Sequence, residues 1–169
     1  QLYSRVIEVD ARVRADGTFE QSPVLDKLAP QLAKARQDGF DAVALCLMHA
    51  WKYPQHEQII ETELKAAGFS QISVSHKVSP LIKLVSRGDT TVVDAYLSPI
   101  LLRYVELVAS ELPGTRLLFM QSSGGLTDAR RFQGKDSILS GPAGGIVGMV
   151  RTSLAAGFDR VIGFDMGGT

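Results

Sequence analysis

The pattern with the clearest chemical meaning in this sequence is Asp165-Met-Gly167-Gly168-Thr169. The largely apolar run before it, residues 161–164, predicts a buried strand with Asp165 at its carboxyl end, where open α/β sheets bind ligands. Gly167 and Gly168 would let the backbone approach a phosphate, and the hydroxyl of Thr169 would lie beside backbone N–H donors. Asp165 could contact a magnesium ion that accompanies the phosphates. The pattern therefore favours a nucleotide site, and a plain strand–turn corner is the alternative.

A second run of small residues, Ser140-Gly141-Pro-Ala-Gly144-Gly145, begins a predicted helix that ends near Ala156. Exposed N–H groups at the start of a helix can hold an anion, but glycines also allow two elements to pack closely. Both interpretations stay open from the residues alone. The spacing matches neither a Walker A loop, which needs a lysine after its last glycine, nor the dinucleotide-binding fingerprint.

The three histidines, His49, His56 and His76, do not form a recognisable metal motif. His56 is followed by Glu57, but Ile60 stands where the zinc-protease motif needs its second histidine. His49 and His76 each follow a predicted strand, so they could lie at the same end of a sheet. A structural role is favoured over metal binding, and the functions of all three histidines are left open.

The composition limits the classes of partner. Lysine and arginine together number 18, aspartate and glutamate also number 18, and no basic run stands out, so binding to nucleic acid or to an anionic membrane is not expected. The single cysteine, Cys46, lies in an apolar run and is expected to be a buried structural thiol. No run of about 18 apolar residues and no signal-peptide pattern is found, which predicts a cytoplasmic protein.

Hydrophobic periodicity predicts alternating strands and helices, and therefore an α/β fold with a largely parallel or mixed sheet covered by helices. A hairpin is expected around Asp16-Gly17. Helices are expected to end at Gly39, Gly68 and Gly157, where glycine suits the turn after a helix. Strands are expected at 43–47, 72–76 and 117–120. A boundary between two lobes is expected near Val78.

The longest helix is predicted over residues 89–112, with Pro99 inside it. Gly88 is expected to turn the chain before this helix, and Asp89 or Thr90 is expected to cap its first turn. Arg87-Gly88-Asp89 also spells an adhesion tripeptide, which we interpret as coincidence.

Four motifs, taken together and in this order, resemble the A subunit of the hydantoinase/oxoprolinase family. They are Ser86-Arg-Gly-Asp-Thr-Thr-Val-Val-Asp-Ala-Tyr-Leu, Met120-Gln-Ser-Ser-Gly-Gly-Leu, Ser140-Gly-Pro-Ala-Gly-Gly-Ile-Val-Gly and Gly163-Phe-Asp-Met-Gly-Gly-Thr. The resemblance covers nearly the whole chain. Many family members have Glu-Arg-x-Ser-Thr at residues 86–90 and Asn at Asp94 and Ser123, and these departures leave the substrate open.

The resemblance implies a ribonuclease H-like fold of the actin, hexokinase and acetate kinase superfamily, with a mixed sheet and flanking helices. Residues 1–78 would be the end of the N-terminal region of the family, and residues 79–169 would be the start of the hydantoinase A core. Family subunits are much longer and have another phosphate loop at their extreme N-terminus. The sequence is therefore expected to be an incomplete internal segment that is inactive alone.

The implied function is activation of the amide of a cyclic substrate, such as a hydantoin or 5-oxoproline, with ATP and Mg²⁺ before ring opening, together with a hydantoinase B-type partner. ATP would contact six residues, and Asp165 would be the metal ligand and catalytic residue. These six residues are Gly141, Gly144, Gly145, Gly167, Gly168 and Thr169. A sugar or acid kinase of the same superfamily, an ATP-dependent ketone carboxylase subunit and a non-catalytic actin-like module are the alternatives.

Overall fold

The computed structural model describes residues 2–167, and the chain divides after Ile100 into two compact units. The boundary between two lobes that the sequence predicts near Val78 stays a prediction. Among the described residues, no helix has both the length and the apolar character that a membrane span needs.

The first unit contains an antiparallel hairpin, a parallel strand pair and the helices around them. Its elements are β1 (Arg12–Val13), β2 (Phe19–Gln21), α1 (Leu25–Gln37), β3 (Ala42–Leu45), α2 (Gln55–Ala66), β4 (Gln71–Val74), α3 (Ser75–Val78) and the first part of α4 (Leu84–Glu111). β1 and β2 form the predicted hairpin around Gly17. β3 and β4 are parallel, with Ala42 opposite Gln71 and Leu45 opposite Val74, and α2 is the crossover that a parallel pair requires.

The apolar faces of α1 and α2 form the core of this unit with the parallel pair. Its buried members are Leu28, Leu32, Ala35, Leu45, Ile60, Leu64, Phe69 and Val74. Both helices are followed by the expected glycine, since Gly39 and Gly68 have φ values of +88° and +82°, a conformation that costs glycine little. α1 begins at Leu25 and continues through Pro30, so this proline does not delay the start of the helix.

Glu57, at the start of α2, is completely buried and joins the carboxyl ends of the two parallel strands. Its Oε1 accepts hydrogen bonds from the Leu47 N–H at 2.8 Å and from the Ser75 hydroxyl at 2.6 Å. Its Oε2 accepts a bond from the His76 N–H at 3.1 Å and lies 2.7 Å from His76 Nδ1. A buried carboxylate needs this degree of hydrogen bonding to offset its lost hydration.

Arg87, in the first turn of α4, is also completely buried and completes the same network. Its Nε donates to the Ser75 hydroxyl at 3.0 Å, and its two Nη atoms donate to the carbonyls of Leu47 and Leu81, each at 2.6 Å. The Ser75 hydroxyl thus bridges the guanidinium and the carboxylate of Glu57. Arg87 is not available for adhesion, which agrees with the interpretation of its tripeptide as coincidence.

The predicted start of the long helix was wrong. α4 begins at Leu84, so Gly88 does not turn the chain, and Asp89 and Thr90 lie inside the helix rather than capping it. The reason is the buried side chain of Arg87, whose hydrogen bonds hold this part of the chain against the strand ends. A polar stretch that resembles a loop in sequence is therefore a helical turn.

The second unit begins with the rest of α4 and continues with an antiparallel pair and further helices. Its elements are β5 (Leu118–Met120), β6 (Leu126–Asp128), a 3₁₀ turn (Ala129–Arg131), α5 (Gly134–Ser137) and α6 (Ser140–Ala155). Its small core contains Val105, Ala129 and Phe132, with the ring of Phe119 stacked on Phe132 at 5.2 Å. Gly157, with a φ of +86°, follows α6 as expected.

The buried strand predicted at residues 161–164 is wrong for the described chain. This segment has no strand structure, and Ile162 and Phe164 are 99% and 87% exposed. A strand requires a hydrogen-bonded neighbour, and no described segment pairs with this one. The predicted single mixed sheet is not observed either. The described strands form three separate two-stranded sheets. The chain is nevertheless mixed α/β.

Replacing Arg87 by lysine is expected to lower the free energy of unfolding by about 3 kcal/mol, because an ammonium group cannot reach the separate acceptors of a buried guanidinium. Chemical denaturation followed by circular dichroism measures this change. Arg5→Lys is the control, since Arg5 pairs with Asp38 at 2.7 Å on the surface, where an ammonium group can replace the guanidinium with little change in stability. Equal effects of the two substitutions would contradict the importance of the buried network.

Candidate functional site

The start of α6 is held in place by the turn that follows β5. The Ser122 hydroxyl donates to the carbonyl of Asp136 at 2.7 Å and accepts a hydrogen bond from the Leu139 N–H at 3.0 Å. Gly124 takes a φ of +82° and closes the turn, with its N–H bonded to the carbonyl of Gln121. The serine and glycines of this turn therefore position the residues that precede α6.

The N-terminus of α6 is not capped by a side chain. Leu139 occupies the cap position and provides no side-chain acceptor, and Pro142 in the first turn has no N–H. The first N–H groups of a helix have no partner within it, and they carry the positive end of the helix dipole. This end of α6 therefore has the electrostatic character that suits an anion.

Three glycines of α6 differ in what surrounds them. A Cβ on Gly144 would lie 3.6 Å from Met120 Cγ, a Cβ on Gly145 would lie 3.9 Å from Asp165 Oδ2, and Gly141 has no atom within 4 Å of that position. These are ordinary van der Waals distances or open space. Among the described residues, the nearest neighbour of a side chain at Gly145 would be a carboxylate rather than an apolar side chain, so the two interpretations of this glycine stay open.

The segment that carries Asp165 lies along α6. A Cβ on Gly163 would overlap the sulfur of Met149, so the missing side chain allows a close approach there. An extended chain advances about 3.3 Å per residue and a helix about 1.5 Å, so two residues of the segment match about four residues of α6. The contacts Gly163 to Met149 and Asp165 to Gly145 fit this ratio. The segment therefore runs towards the N-terminus of α6 and brings Asp165 with it.

The structure thus brings two of the predicted site residues, Asp165 and Gly145, together. Asp165 is exposed, so its carboxylate is open to solvent. Gly167 lies in open space, and Gly168 and Thr169 lie outside the described residues. The ligand roles predicted for these residues and for Gly141 and Gly144 stay predictions.

The histidines belong to the first unit. His76 is bonded to Glu57, His56 lies 4.9 Å from the ring of Phe19, and His49 has a φ of +61° in the loop after β3. Residues 2–167 contain no group of three or more His, Cys, Asp or Glu side chains that could hold a metal ion.

Sequence reasoning missed the part played by Gly163 and Ser122. Gly163 stands inside an apolar run and was included in a predicted strand, although a glycine at such a position is itself a signal of close backbone approach. Ser122 belongs to a serine–glycine stretch after a predicted strand, which is typical of a turn and could also bind a ligand. Its two hydrogen bonds to residues 14 and 17 positions later have no local sequence signal.

Two family models match this chain. Residues 87–169 match the hydantoinase/oxoprolinase family, and residues 1–68 match the hydantoinase/oxoprolinase N-terminal region. The 5-oxoprolinase of Saccharomyces cerevisiae is 34% identical and 5-oxoprolinase 1 of Arabidopsis thaliana is 38% identical, each over 99% of this chain. The chain spans 16% and 15% of the length of these two curated relatives.

Two solved structures share the fold. The ATP-dependent caprolactamase from Pseudomonas jessenii superposes with a TM-score of 0.82 and 30% identity, over 95% of this chain and 24% of that one. A nucleotide-free acetone carboxylase superposes with a TM-score of 0.76 over 88% of this chain and 22% of that one. The acetone carboxylase is 18% identical, so its likeness concerns the fold alone.

Gly145→Ala is expected to leave the free energy of unfolding unchanged or to raise it by up to about 1 kcal/mol, because alanine favours a helix and the added methyl group overlaps nothing. Gly148→Ala, with open space around it, is the matched control and should behave alike. Denaturant titration of both variants measures the change. A clear loss of stability in Gly145→Ala alone would indicate that close packing requires a glycine at this position.

Proposed function

Because this chain belongs to the hydantoinase/oxoprolinase family, we propose that it is part of an ATP-dependent hydrolase that opens cyclic amides. The names of its relatives support this reaction, since they include 5-oxoprolinases and an ATP-dependent caprolactamase. The chain spans about one sixth of its oxoprolinase relatives, so the reaction is proposed for the whole protein of which these residues form part.

The observation that carries the proposal is the position of Asp165 beside Gly145, on the path towards the uncapped start of α6. A phosphate at that helix start would meet N–H donors and the positive end of the dipole. A carboxylate nearby would be repelled by the phosphate unless a cation lay between them. The arrangement therefore supports a nucleotide bound together with its metal.

The carboxylate of Asp165 suits a Mg²⁺ ion that is bound together with a nucleotide. Nucleotide-bound magnesium is held by one or two carboxylates, and phosphate oxygens and water complete its shell. Asp165 is exposed and supplies one such carboxylate, and no described cluster supplies a complete metal site. Gly145 leaves the space beside Asp165 free of side-chain atoms.

The roles of the residues follow from the reaction. An amide carbonyl is a poor electrophile, and ATP with Mg²⁺ would supply the phosphoryl group that activates its oxygen. The start of α6, with Gly141, would bind a phosphate through backbone N–H groups. Asp165 would orient the metal directly or through water. Gly167, Gly168 and Thr169 would complete the phosphate loop.

We place the whole protein in the ribonuclease H-like superfamily of actin, hexokinase and acetate kinase, where ATP binds between two lobes. A hydantoinase B-type partner subunit or domain is part of the proposal, and it is supported by the naming of the 35% identical Pseudomonas jessenii relative as a caprolactamase subunit alpha. A cytoplasmic location, where ATP is available, fits this reaction.

Asp165→Asn in the full protein is expected to keep the fold and to reduce ATP turnover with ring opening by about 100-fold or more, because the amide keeps the shape and loses the charge. The assay measures ADP release and ring-opened product with 5-oxoproline and with caprolactam. Asp159→Asn, in the same exposed stretch, is the control and should retain full turnover. Wild-type turnover in Asp165→Asn would make Asp165 structural, and phosphorylation of a hydroxyl substrate without ring opening would identify a kinase.

Gly145→Ala is expected to raise the KM for ATP by about tenfold, because its methyl group would occupy the space beside Asp165. Gly148→Ala should leave the KM unchanged. Steady-state kinetics of the two variants in the full protein provides the comparison. An unchanged KM in Gly145→Ala would mean that the nucleotide does not approach this part of α6.

A further inference from the structure

A cavity lies in the first unit, between the β1–β2 hairpin and the loop after β3. Its volume is about 640 Å³, and its walls include Arg12, Arg14, Glu20, Leu47, His49 and His56. Gly17 holds the tip of the hairpin against the ring of Tyr53, because a Cβ on Gly17 would lie 2.6 Å from Tyr53 Cε1. The cavity is at the carboxyl end of β3, the end of a parallel strand at which α/β proteins bind ligands.

His56 is a buried polar side chain that lacks a partner. It is 5% exposed and contacts the ring of Phe19, and its imidazole makes no hydrogen bond with a described residue. Among the described residues, the one polar side-chain atom enclosed by protein without a partner is Trp51 Nε1, so the ring nitrogens of His56 remain open to the cavity. Burial lowers the pKa of His56, and the neutral ring offers one donor and one acceptor.

The charged side chains that line the cavity are Arg12, Arg14 and Glu20, and the two arginines are largely exposed to solvent. Nε of Arg12 lies 3.2 Å and Nε of Arg14 lies 2.9 Å from the same oxygen of Glu20. Two guanidinium groups thus share one carboxylate and retain further N–H donors. Such donors bind a carboxylate in a forked geometry.

The other residues that line the cavity bear on which kind of anion it can bind. Val13 and Leu47 also line the cavity, so part of its wall is apolar and can accommodate the organic body of a carboxylate ligand. His49 follows β3 with a φ of +61°, a strained conformation for a residue with a side chain and one that is concentrated at binding sites.

We propose that this cavity binds a small organic carboxylate. Arg12 and Arg14 hold its anionic group in competition with Glu20, and His56 forms a hydrogen bond with it inside the cavity. The site uses residues of the first unit only, and it does not depend on the proposed ATP chemistry.

Ligand-observed ¹⁹F NMR on the full protein tests this site with 4-fluorobenzoate as the probe and 4-fluorobenzamide as its neutral counterpart. We expect saturable broadening of the benzoate signal with a Kd on the order of millimolar and none with the benzamide. Inorganic phosphate should not displace the probe at equal concentration. Equal binding of the two probes, or displacement by phosphate, would overturn the assignment to an organic carboxylate.

Variants separate this cavity from other sites. Arg14→Gln and His56→Phe should each weaken binding by about tenfold, while Glu20→Gln should tighten it by about threefold because the competing carboxylate is removed. Arg5→Gln removes the same charge as Arg14→Gln but lies outside the cavity, so it should leave the Kd unchanged. Because a misfolded variant cannot bind more tightly, tighter binding by Glu20→Gln cannot be a folding artefact. An unchanged or weaker Kd in Glu20→Gln, with a wild-type circular dichroism spectrum, would refute the proposal even if the other variants were unstable.

Discussion

The close approach of residues 163–165 to α6 is the constraint on which the candidate site depends. It is possible because Gly163 has no side chain where it passes Met149. A methyl group on Gly163 would have to displace Met149, and overpacking of this kind costs about 1–3 kcal/mol. Gly163 thus allows the direction of the segment, and this direction brings the Asp165 carboxylate towards the positive end of the α6 dipole.

Glu57 and His56 are neighbours in the first unit, and their polar side chains differ in whether they have hydrogen-bond partners. Glu57 is buried with all its hydrogen-bonding capacity used by the strand ends and by His76, and Arg87 completes the same network. His56, the preceding residue, is buried without a partner and borders a cavity. Since buried polar groups in native proteins are normally satisfied, the first pattern indicates a structural role. The ring nitrogens of His56 are not enclosed by protein, so they are available to a molecule in the cavity.

Local signals in the sequence predicted much of the fold. Gly39, Gly68 and Gly157 follow helices as expected, and the hairpin at Gly17 and the strand–helix–strand unit around α2 were also predicted correctly. The errors came from long-range contacts. The buried hydrogen bonds of Arg87 hold a helix that begins at Leu84. Residues 161–164 are apolar like a strand, but they pair with no described strand.

The candidate site was predictable in part. The motif around Asp165 and the small residues at the start of α6 were recognisable because phosphate sites use glycine and a helix N-terminus. The pairing of Asp165 with Gly145 was not, since it depends on Gly163 passing Met149.

Transfer of an oxygen isotope tests the central claim most directly. If ATP activates the amide oxygen, the oxygen–phosphorus bond forms at that atom, and the oxygen leaves as part of phosphate when the ring opens. The full protein, supplied with ATP and with 5-oxoproline or caprolactam labelled with ¹⁸O in the ring carbonyl, should therefore release ¹⁸O-labelled inorganic phosphate in step with ring-opened product. Ring opening with all the label retained in the product and none in phosphate would contradict the account.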